Sequence, residues 1–250
     1  MHSHVKNRIA REYMDIAEIY DVTRFGEPYQ LLWHELEVEL IKKFLKKHYS
    51  VLEVGVGTGR FAESLAMHVR SFTGIDISKP MIYISRKKVY YLNNINLINA
   101  DAENLPFKPN TFDFVFSMHV MWHLPYTIQE KIFSELVRVV KPGGKILFDM
   151  GNLHTIRLIH TIRRREIDFD KVGYHIGYDD ACKLADKYNV RLIDCYGFRQ
   201  FLPASHLIPK NIKNNYVLRR FIKWINSKFS RNRIFRLLAL SIYYIFEKDF

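Results

Sequence analysis

A glycine-rich turn at residues 55–59 is the first pattern in the sequence with chemical potential. Gly55, Gly57 and Gly59 follow the apolar run Val51–Val54 and precede a helical stretch. Glycine permits a tight strand-to-helix turn and lets a ligand approach the backbone, while the next helix offers free N–H groups to an anion. The G-x-G-x-G spacing differs from the G-x-G-x-x-G of dinucleotide binders, which argues against a dehydrogenase. A purely structural turn has the same composition, so this segment alone leaves both interpretations open.

Two acidic residues follow later apolar runs. Asp76 ends the second run, where a carboxylate can accept both hydroxyls of a ribose. The alternative role of Asp76 is to cap the next helix. Ser78 already supplies that cap and Pro80 stands in the first turn, so Asp76 is available for a ligand. Asp101 follows the third run and can accept a hydrogen bond from an exocyclic amine, although this segment by itself predicts only a loop.

The elements that must position these residues alternate between strand and helix. Residues before 50 show apolar spacings of three and four, which predict helices. From 51 to 149, short β-branched runs alternate with helical stretches, which predicts a parallel sheet with right-handed crossovers. The strands are expected at 51–54, 72–76, 96–98, 112–117, 145–149 and 190–196. Two helices are expected to begin at about 60 and at 80. Four further helices are expected at 127–140, 153–165, 179–188 and 216–228.

Four segments, taken in order, resemble the class I S-adenosylmethionine-dependent methyltransferases. The resemblance is to the branch that includes ubiquinone and menaquinone biosynthesis enzymes and many small-molecule methyltransferases. It rests on LEVGVGTGRFAESLA, GIDIS, DAENLPFKPNTFDFVFSMHVMWHL and LVRVVKPGGKILF, within residues 51–149. It implies an α/β fold with a Rossmann-like, seven-stranded, mostly parallel sheet flanked by helices. In that fold KPGG at 141–144 is a turn before the fifth strand, and residues 238–246 supply the antiparallel last strand.

The resemblance also implies a site for S-adenosyl-L-methionine, which would leave as S-adenosyl-L-homocysteine. The three glycines of the turn would face the methionine part of the cofactor: Gly55, Gly57 and Gly59. Glu53 would lie beneath the turn and contact the ammonium group. Asp76 would bind the ribose diol, and Ile77 would pack on the adenine.

Three further residues carry over from the same family pattern. Asp101 would accept a hydrogen bond from the adenine amine, and Ala102 would present its backbone N–H to the ring. Ser117, at the end of the fourth strand, would lie below the reactive sulfonium.

Methyl transfer by in-line displacement needs alignment and exclusion of water more than covalent machinery. His123 and His119 follow the fourth strand and are candidate general bases for an alcohol acceptor. Either could instead cap a helix or pack in the core. Tyr13 and Tyr20 resemble the family's lid, where an aromatic ring faces the sulfonium, and helical spacing explains them equally as core residues.

The net charge of +12 is concentrated near the C-terminus. Between Cys195 and Phe246 there are ten Lys or Arg residues and no Asp or Glu, whereas the rest of the chain is nearly neutral. This segment is expected to bind an anion.

Two distant cysteines exclude a disulfide framework and a zinc cluster, and no metal site is expected. A reduced, cytoplasmic setting fits this cysteine content best. Neither a signal peptide nor a run long enough to span a membrane is predicted.

The predicted organisation is one domain over 1–250. It comprises a helical N-terminal lid at 1–49, a cofactor-binding core at 50–150, and acceptor-side elements at 151–250 with a basic insertion at about 200–236. On one interpretation, apolar residues of the insertion line an acceptor pocket, while its cations bind an anionic group or a lipid headgroup surface in peripheral membrane contact. The pocket residues would be Phe201, Leu202, Leu207, Ile208, Trp224 and Phe229.

Two other interpretations of the insertion stay open: its basic and aromatic residues track a nucleic-acid backbone, or its cations only solvate a helix. The predicted function is methyl transfer to a small-molecule, lipid or glycan-type acceptor, of amphiphilic or anionic character. The alternatives are a tRNA or rRNA methyltransferase and a non-catalytic S-adenosylmethionine-binding protein. Against nucleic acid, Phe116-Ser-Met-His119 stands where an N/D-P-P-Y-type motif would follow the fourth strand.

Overall fold

A computed structural model describes residues 11–13, 15–162, 166, 173–198 and 215–249. The helices are α1 (Tyr20–Phe25), α2 (Pro28–Lys42), α3 (Arg60–Leu65), α4 (Lys79–Lys88), α5 (Tyr126–Val139), α6 (Leu153–Ile162), α7 (Tyr178–Lys187), α8 (Tyr216–Phe229) and α9 (Arg233–Leu237). The strands are β1 (Ser50–Val54), β2 (Ser71–Asp76), β3 (Ile95–Asn99), β4 (Phe112–Ser117), β5 (Val140–Gly151), β6 (Val190–Phe198) and β7 (Ser241–Lys248). In the described part of the chain, no helix combines the length and the apolar character that crossing a bilayer requires.

The strands form one seven-stranded sheet in the order β3-β2-β1-β4-β5-β7-β6. Strands β1 to β5 are parallel, and β7 runs antiparallel between β5 and β6. The predicted fold class is thereby confirmed. Chain order reverses between β1 and β4, and ligands of open α/β sheets bind outside the carboxyl ends of the strands at such a switch point. The loops that follow β1 and β4 therefore meet at one crevice.

Helices cover both faces of the sheet. Successive side chains of a strand point to opposite faces, so the apolar residues of the central strands need cover on both sides. Phe114 and Phe116 of β4 pack with α2 and α3, whereas Val115 between them packs with α5. The buried face of α5 contains Ile128, Ile132, Phe133 and Leu136, at the spacing of an amphipathic helix. These two cores hold the strand ends, and hence the crevice, in fixed positions.

Helix α4 begins where the capping serine and the proline in the sequence predict that it should. The Ser78 hydroxyl accepts a hydrogen bond from the backbone N–H of Met81 at 3.5 Å, and a proline occupies the first turn. Ser78 is thus the N-cap, and the Asp76 side chain is not used for that purpose, as predicted.

Two features differ from the prediction, and a third is not described by the structure. The expected turn at 141–144 is wrong, because β5 already starts at Val140, which pairs with Phe112, and the KPGG residues form an irregularity before Lys145 pairs with Phe114. Strand β7 begins at Ser241 instead of residue 238, since α9 and its C-cap extend to Leu238. The expected extension of α6 over 163–165, and residues 199–214 of the basic segment, lie outside the described residues.

Candidate active site

A cavity opens at the carboxyl ends of β1, β2 and β4. It encloses about 1070 Å³ of empty space, including its open mouth. Its wall comes from the loops after these strands and from Tyr13 and Tyr20 near the N-terminus. The cavity therefore collects residues from several loops and from the N-terminal segment around one space.

The glycine turn after β1 forms one side of the cavity. Gly55, Gly57 and Gly59 all have positive φ, at 82°, 52° and 82°, a conformation that side-chain-bearing residues rarely adopt. A Cβ on Gly55 would lie 2.1 Å from a methyl of Val120, whereas a Cβ on Gly57 would meet nothing within 4 Å. Gly57 thus leaves open space for a ligand, and Gly55 allows two loops to touch.

Gly59 has a different place from the other two glycines. It is the N-cap of α3, it does not line the cavity, and a Cβ there would lie 2.4 Å from the Ser85 hydroxyl. Its role in the structure is close packing of α3 against α4.

Asp76 lines the cavity at the end of β2. Its two carboxylate oxygens accept backbone N–H groups from Gly57 at 2.9 Å and from Ser78 at 2.8 Å. Burial nevertheless raises the pKa of Asp76. A carboxylate has about four acceptor positions, so Asp76 can still accept from a hydroxyl donor such as a ribose. The half-exposed Ile77 adjoins it on the cavity wall and offers an apolar surface.

Asp101 and Ala102 line the cavity after β3. Asp101 Oδ1 accepts the backbone N–H of Glu103 at 3.0 Å, which orients the carboxylate. Ser117, by contrast, is fully buried and does not line the cavity. Its hydroxyl donates to the Val54 carbonyl at 3.0 Å, so in this structure it ties β4 to β1.

Glu53 is a buried carboxylate at the base of the glycine turn. Its side chain lines the cavity, and its Oε2 has no hydrogen-bond partner among the described residues. Burial raises the pKa of Glu53 well above its usual range. An unpaired buried carboxylate oxygen is costly, and a bound cation such as a primary ammonium would satisfy it.

Arg60 supplies the opposite charge within the same cavity. Its guanidinium lies 3.1 Å from the centroid of the Phe25 ring and 3.9 Å from Asp21, and Nη1 has no partner among the described residues. Glu53 and Arg60 together present a carboxylate and a guanidinium, as a zwitterionic amino-acid group requires. With Asp76 suited to a ribose, this donor set fits S-adenosylmethionine.

The N-terminal segment is tied to the glycine turn. Asp21 Oδ1 accepts the Thr58 hydroxyl at 2.6 Å, and Asp21 also pairs with Lys88. Tyr13 and Tyr20 lie with ring centroids 5.8 Å apart on the cavity wall, and burial raises the pKa of both phenols. The two tyrosines therefore stay protonated and neutral at physiological pH.

His123 lies on the cavity wall in the 3-10 turn Met121–His123. Its ring stacks on Trp122 with centroids 3.7 Å apart, and its Nε2 is 3.1 Å from the Tyr13 hydroxyl oxygen. Burial lowers the pKa of His123 to about 4. The imidazole is therefore neutral near pH 7 and can accept a proton, with less driving force than an ordinary histidine has.

His119 lies on the same wall but in the opposite protonation state. Its Nε2 is 3.1 Å from Glu37 and its Nδ1 is 3.2 Å from Asp149, both buried carboxylates. Burial lowers the pKa of His119, but these two charges outweigh burial and raise it to about 9. The Tyr243 hydroxyl donates to Glu37 at 2.6 Å and completes the cluster. Because both ring nitrogens face carboxylates, the geometry describes a structural cation and favours His123 over His119 as a base.

Comparison with known proteins decides the family. A family model described as a methyltransferase domain matches residues 52–148. The uncharacterized protein MJ1123 of Methanocaldococcus jannaschii is 38% identical over 197 residues, 78% of this chain and 84% of that protein. The chain belongs to the class I S-adenosylmethionine-dependent methyltransferases.

Two further matches have methyltransferase names. The demethylmenaquinone methyltransferase of Staphylococcus aureus is 30% identical over 148 residues, 57% of this chain and 59% of that one. The magnesium protoporphyrin IX methyltransferase of Synechocystis, solved with S-adenosylmethionine, has a TM-score of 0.65 at 14% identity, covering 98% of this chain and 97% of that one. The latter likeness concerns the fold alone. The chain spans between 28% and 60% of the length of the curated, named methyltransferases it matches.

The methyltransferase cavity brings together most residues predicted from sequence. Ten of them line it: Tyr20, Glu53, Gly55, Gly57, Asp76, Ile77, Asp101, Ala102, His119 and His123. Gly59 and Ser117 lie behind its wall. Sequence reasoning missed Arg60, Glu37 and Asp149. Arg60 stands directly after the last glycine, and Asp149 is a lone acid in the apolar strand ILFDM, so both left a signal in the sequence.

Proposed function

We propose that this methyltransferase transfers a methyl group to a small-molecule, lipid or glycan-type acceptor by in-line displacement. The observation that supports a small acceptor is the composition of the cavity wall. Arg60 is the only Lys or Arg on that wall as described, and none of the basic residues from 215 onward contributes to it. A nucleic-acid substrate would favour cations around the reacting site, whereas the wall here is mainly apolar.

S-adenosylmethionine supplies an electrophilic methyl carbon on a sulfonium sulfur when it is bound. Glu53 and Arg60 would hold the ammonium and carboxylate of its methionine part. Asp76 would accept the two ribose hydroxyls, and Asp101 with the backbone of Ala102 would recognise the adenine. Gly57 supports this assignment because its missing side chain leaves the approach to the backbone open.

His123 would take the proton of an acceptor hydroxyl. It is neutral and lies on the cavity wall, and the Tyr13 hydroxyl oxygen at 3.1 Å from Nε2 holds its ring orientation together with Trp122. A general base of this kind contributes typically about 10²–10⁴-fold to rate. His119 would act as a positioning residue, since its contacts with Glu37 and Asp149 tie the loop after β4 to α2 and β5.

The test uses isotopically labelled S-adenosylmethionine and separate cellular fractions as acceptors. We expect label in the small-molecule or lipid fraction, with incorporation lowered about 10²-fold by His123→Ala and abolished by Asp76→Ala. Calorimetry with S-adenosylhomocysteine should show unchanged affinity for His123→Ala, which separates loss of chemistry from loss of binding.

Two outcomes would overturn the proposal in favour of its alternatives. Label in purified tRNA or rRNA alone would assign the enzyme to nucleic acid. Tight cofactor binding with no transfer to any fraction would identify a non-catalytic binding protein. Full activity of His123→Ala would leave methyl transfer intact and remove the histidine from the mechanism.

A further inference from the structure

The outer side of α8 carries large side chains that the protein core does not cover. At 100° per residue, Val217, Phe221 and Trp224 fall within one arc of about 60°, which is centred about 100° round the helix from the buried Ile222 and Ile225. Val217 is 71% exposed, Trp224 53% and Phe221 52%. The rings of Phe221 and Trp224 stack with centroids 6.1 Å apart, so they form one patch.

Ring contacts connect this patch to α9, since the Phe229 ring lies 6.1 Å from that of Trp224 and 5.4 Å from that of Phe235, centroid to centroid. Ile234 is 69% exposed, and Leu237 and Leu238 are also exposed. We call the exposed sides of these two helices the α8–α9 face. Scattered apolar side chains at a surface are ordinary, but a contiguous group of aromatic and aliphatic ones marks an interaction site.

The cations of α8 divide into two sets. Arg219 and Lys223 turn towards α2 and pair with its Glu35 at 3.1 and 3.0 Å, which fixes the inner side of the helix. Arg220 and Lys228 turn outward and flank Trp224 one helical turn away on either side. Neither forms an ion pair with any described acidic residue, and the sequence from Cys195 to Phe246 has no Asp or Glu. Within the described part of the chain, these outer cations are therefore available to an anionic partner.

We propose that the α8–α9 face docks on the surface of an anionic lipid bilayer. Trp224 and Phe221 would enter the boundary between headgroups and acyl chains, with α8 parallel to the surface, while Arg220 and Lys228 contact lipid phosphates. The inference does not depend on which acceptor is methylated.

The aliphatic residues of the face favour a bilayer over a nucleic acid. A nucleic acid would stack bases on Trp224 and Phe221 and pair its phosphates with the cations. It would leave Val217, Ile234 and Leu238 without apolar contact, whereas acyl chains would bury them favourably. An acidic protein surface would pair with the cations but would likewise leave the aromatic rings without apolar contact.

The experiment is flotation of the purified full-length chain with vesicles. One set contains phosphatidylcholine only, and the other contains about one third phosphatidylglycerol. We expect binding to the anionic set that weakens steeply with salt. Arg220→Glu with Lys228→Glu should lower partitioning by well over tenfold, because each neutralised surface cation accounts for about fivefold. Phe221→Ala with Trp224→Ala should lower it by a similar factor through lost apolar burial.

Matched controls lie elsewhere on the surface. Lys47→Glu with Lys108→Glu makes the same charge change, and Tyr90→Ala removes an aromatic ring that is 81% exposed; both should bind vesicles like the unaltered chain. Affinity for S-adenosylhomocysteine should be unchanged in the α8 variants, which would show that they fold.

Three results would overturn the inference: equal binding to both vesicle sets, binding unaffected by the α8 substitutions, or displacement from anionic vesicles by a stoichiometric amount of RNA. Self-association in sedimentation that Phe221→Ala with Trp224→Ala abolishes would assign the face to a second copy instead.

Discussion

Glu53 illustrates how a single residue can favour ligand binding at the expense of folding stability. Its carboxylate is buried with one unpaired oxygen, and its pKa is raised by that burial. A raised carboxyl pKa means that the folded protein disfavours the charged form near pH 7. Glu53→Gln is therefore expected to raise the melting temperature of the ligand-free protein and to weaken S-adenosylhomocysteine binding about 10–100-fold, the value of a charge-assisted hydrogen bond.

Glu37 provides the matched comparison for that experiment. It is equally buried, but it contacts His119 and accepts the Tyr243 hydroxyl. Glu37→Gln should lower the melting temperature, since it removes a partner from a buried charged cluster. Thermal melts and calorimetry check both changes, and unaltered cofactor affinity of Glu53→Gln would refute the assigned ammonium contact.

His119 is expected to make stability depend on pH in the alkaline range. Its folded pKa of about 9 lies above the ordinary value of 6.5, so the stabilisation is complete below about pH 6.5 and is lost as pH rises through about 9. The free energy of unfolding should fall by up to about 1.4 kcal/mol per pH unit across that window. Urea unfolding at several pH values measures this slope, and His119→Gln should flatten it. A slope of the same size in that variant would show that other groups cause it.

His123 is expected to titrate on the acid side. Burial lowers its pKa to about 4, so the neutral base is almost fully present at pH 6, where an ordinary histidine would be mostly protonated. NMR titration of the ring protons, assigned with His123→Gln, should give a midpoint near 4 and no transition near 6.5. A midpoint near 6.5 would mean that solvent reaches the ring and that Tyr13 does not cover it.

Among the elements, the N-terminal segment and the glycine turn act together through Asp21. Asp21→Asn weakens the contacts with Thr58 and Lys88, which join α1 to the turn and to α4. Because these contacts hold the tyrosines over the cavity, affinity for S-adenosylhomocysteine should fall about three- to tenfold, mainly through faster release. Stopped-flow dissociation measures the rate, and Glu18→Gln, an exposed neighbour, should leave it unchanged. Equal rates for Asp21→Asn and the unaltered chain would show that the segment does not cover the ligand.

The sequence predicted elements well where local signals and tertiary packing agree. Helix α4 has its cap serine and its proline in order, and α5 has an apolar stripe, so the start of α4 and both ends of α5 are predicted to within one residue. The KPGG segment has strong turn chemistry, yet β4 pairs on both sides of it and makes it an irregularity within β5. Strand pairing depends on a partner distant in sequence, which no local signal contains.

At the scale of the whole molecule, the sequence predicts site residues that belong to a single local motif. It does not predict contacts between segments that are distant in sequence. The residues predicted to bind the cofactor lie in consecutive loops, so recognition of the motifs named much of the cavity wall. The cluster of Glu37, His119 and Asp149 joins α2, the loop after β4, and β5. Only the fold shows that His119 is held between two carboxylates, which favours a positioning role for it over that of a base.

Cofactor binding should stabilise the molecule as a unit, since the cavity wall includes residues from the N-terminal segment and from the loops after β1 to β4. A ligand present at about 100 times its dissociation constant stabilises the folded state by about 2.7 kcal/mol. In a chain of 250 residues this corresponds to a rise in melting temperature of about 5–10 °C. S-adenosylhomocysteine should produce that rise, and Asp76→Ala should remove it. NADH should cause no shift, because the G-x-G-x-G turn lacks the dinucleotide spacing. A comparable shift with NADH would mean that the cavity recognises only the adenosine part that both ligands share.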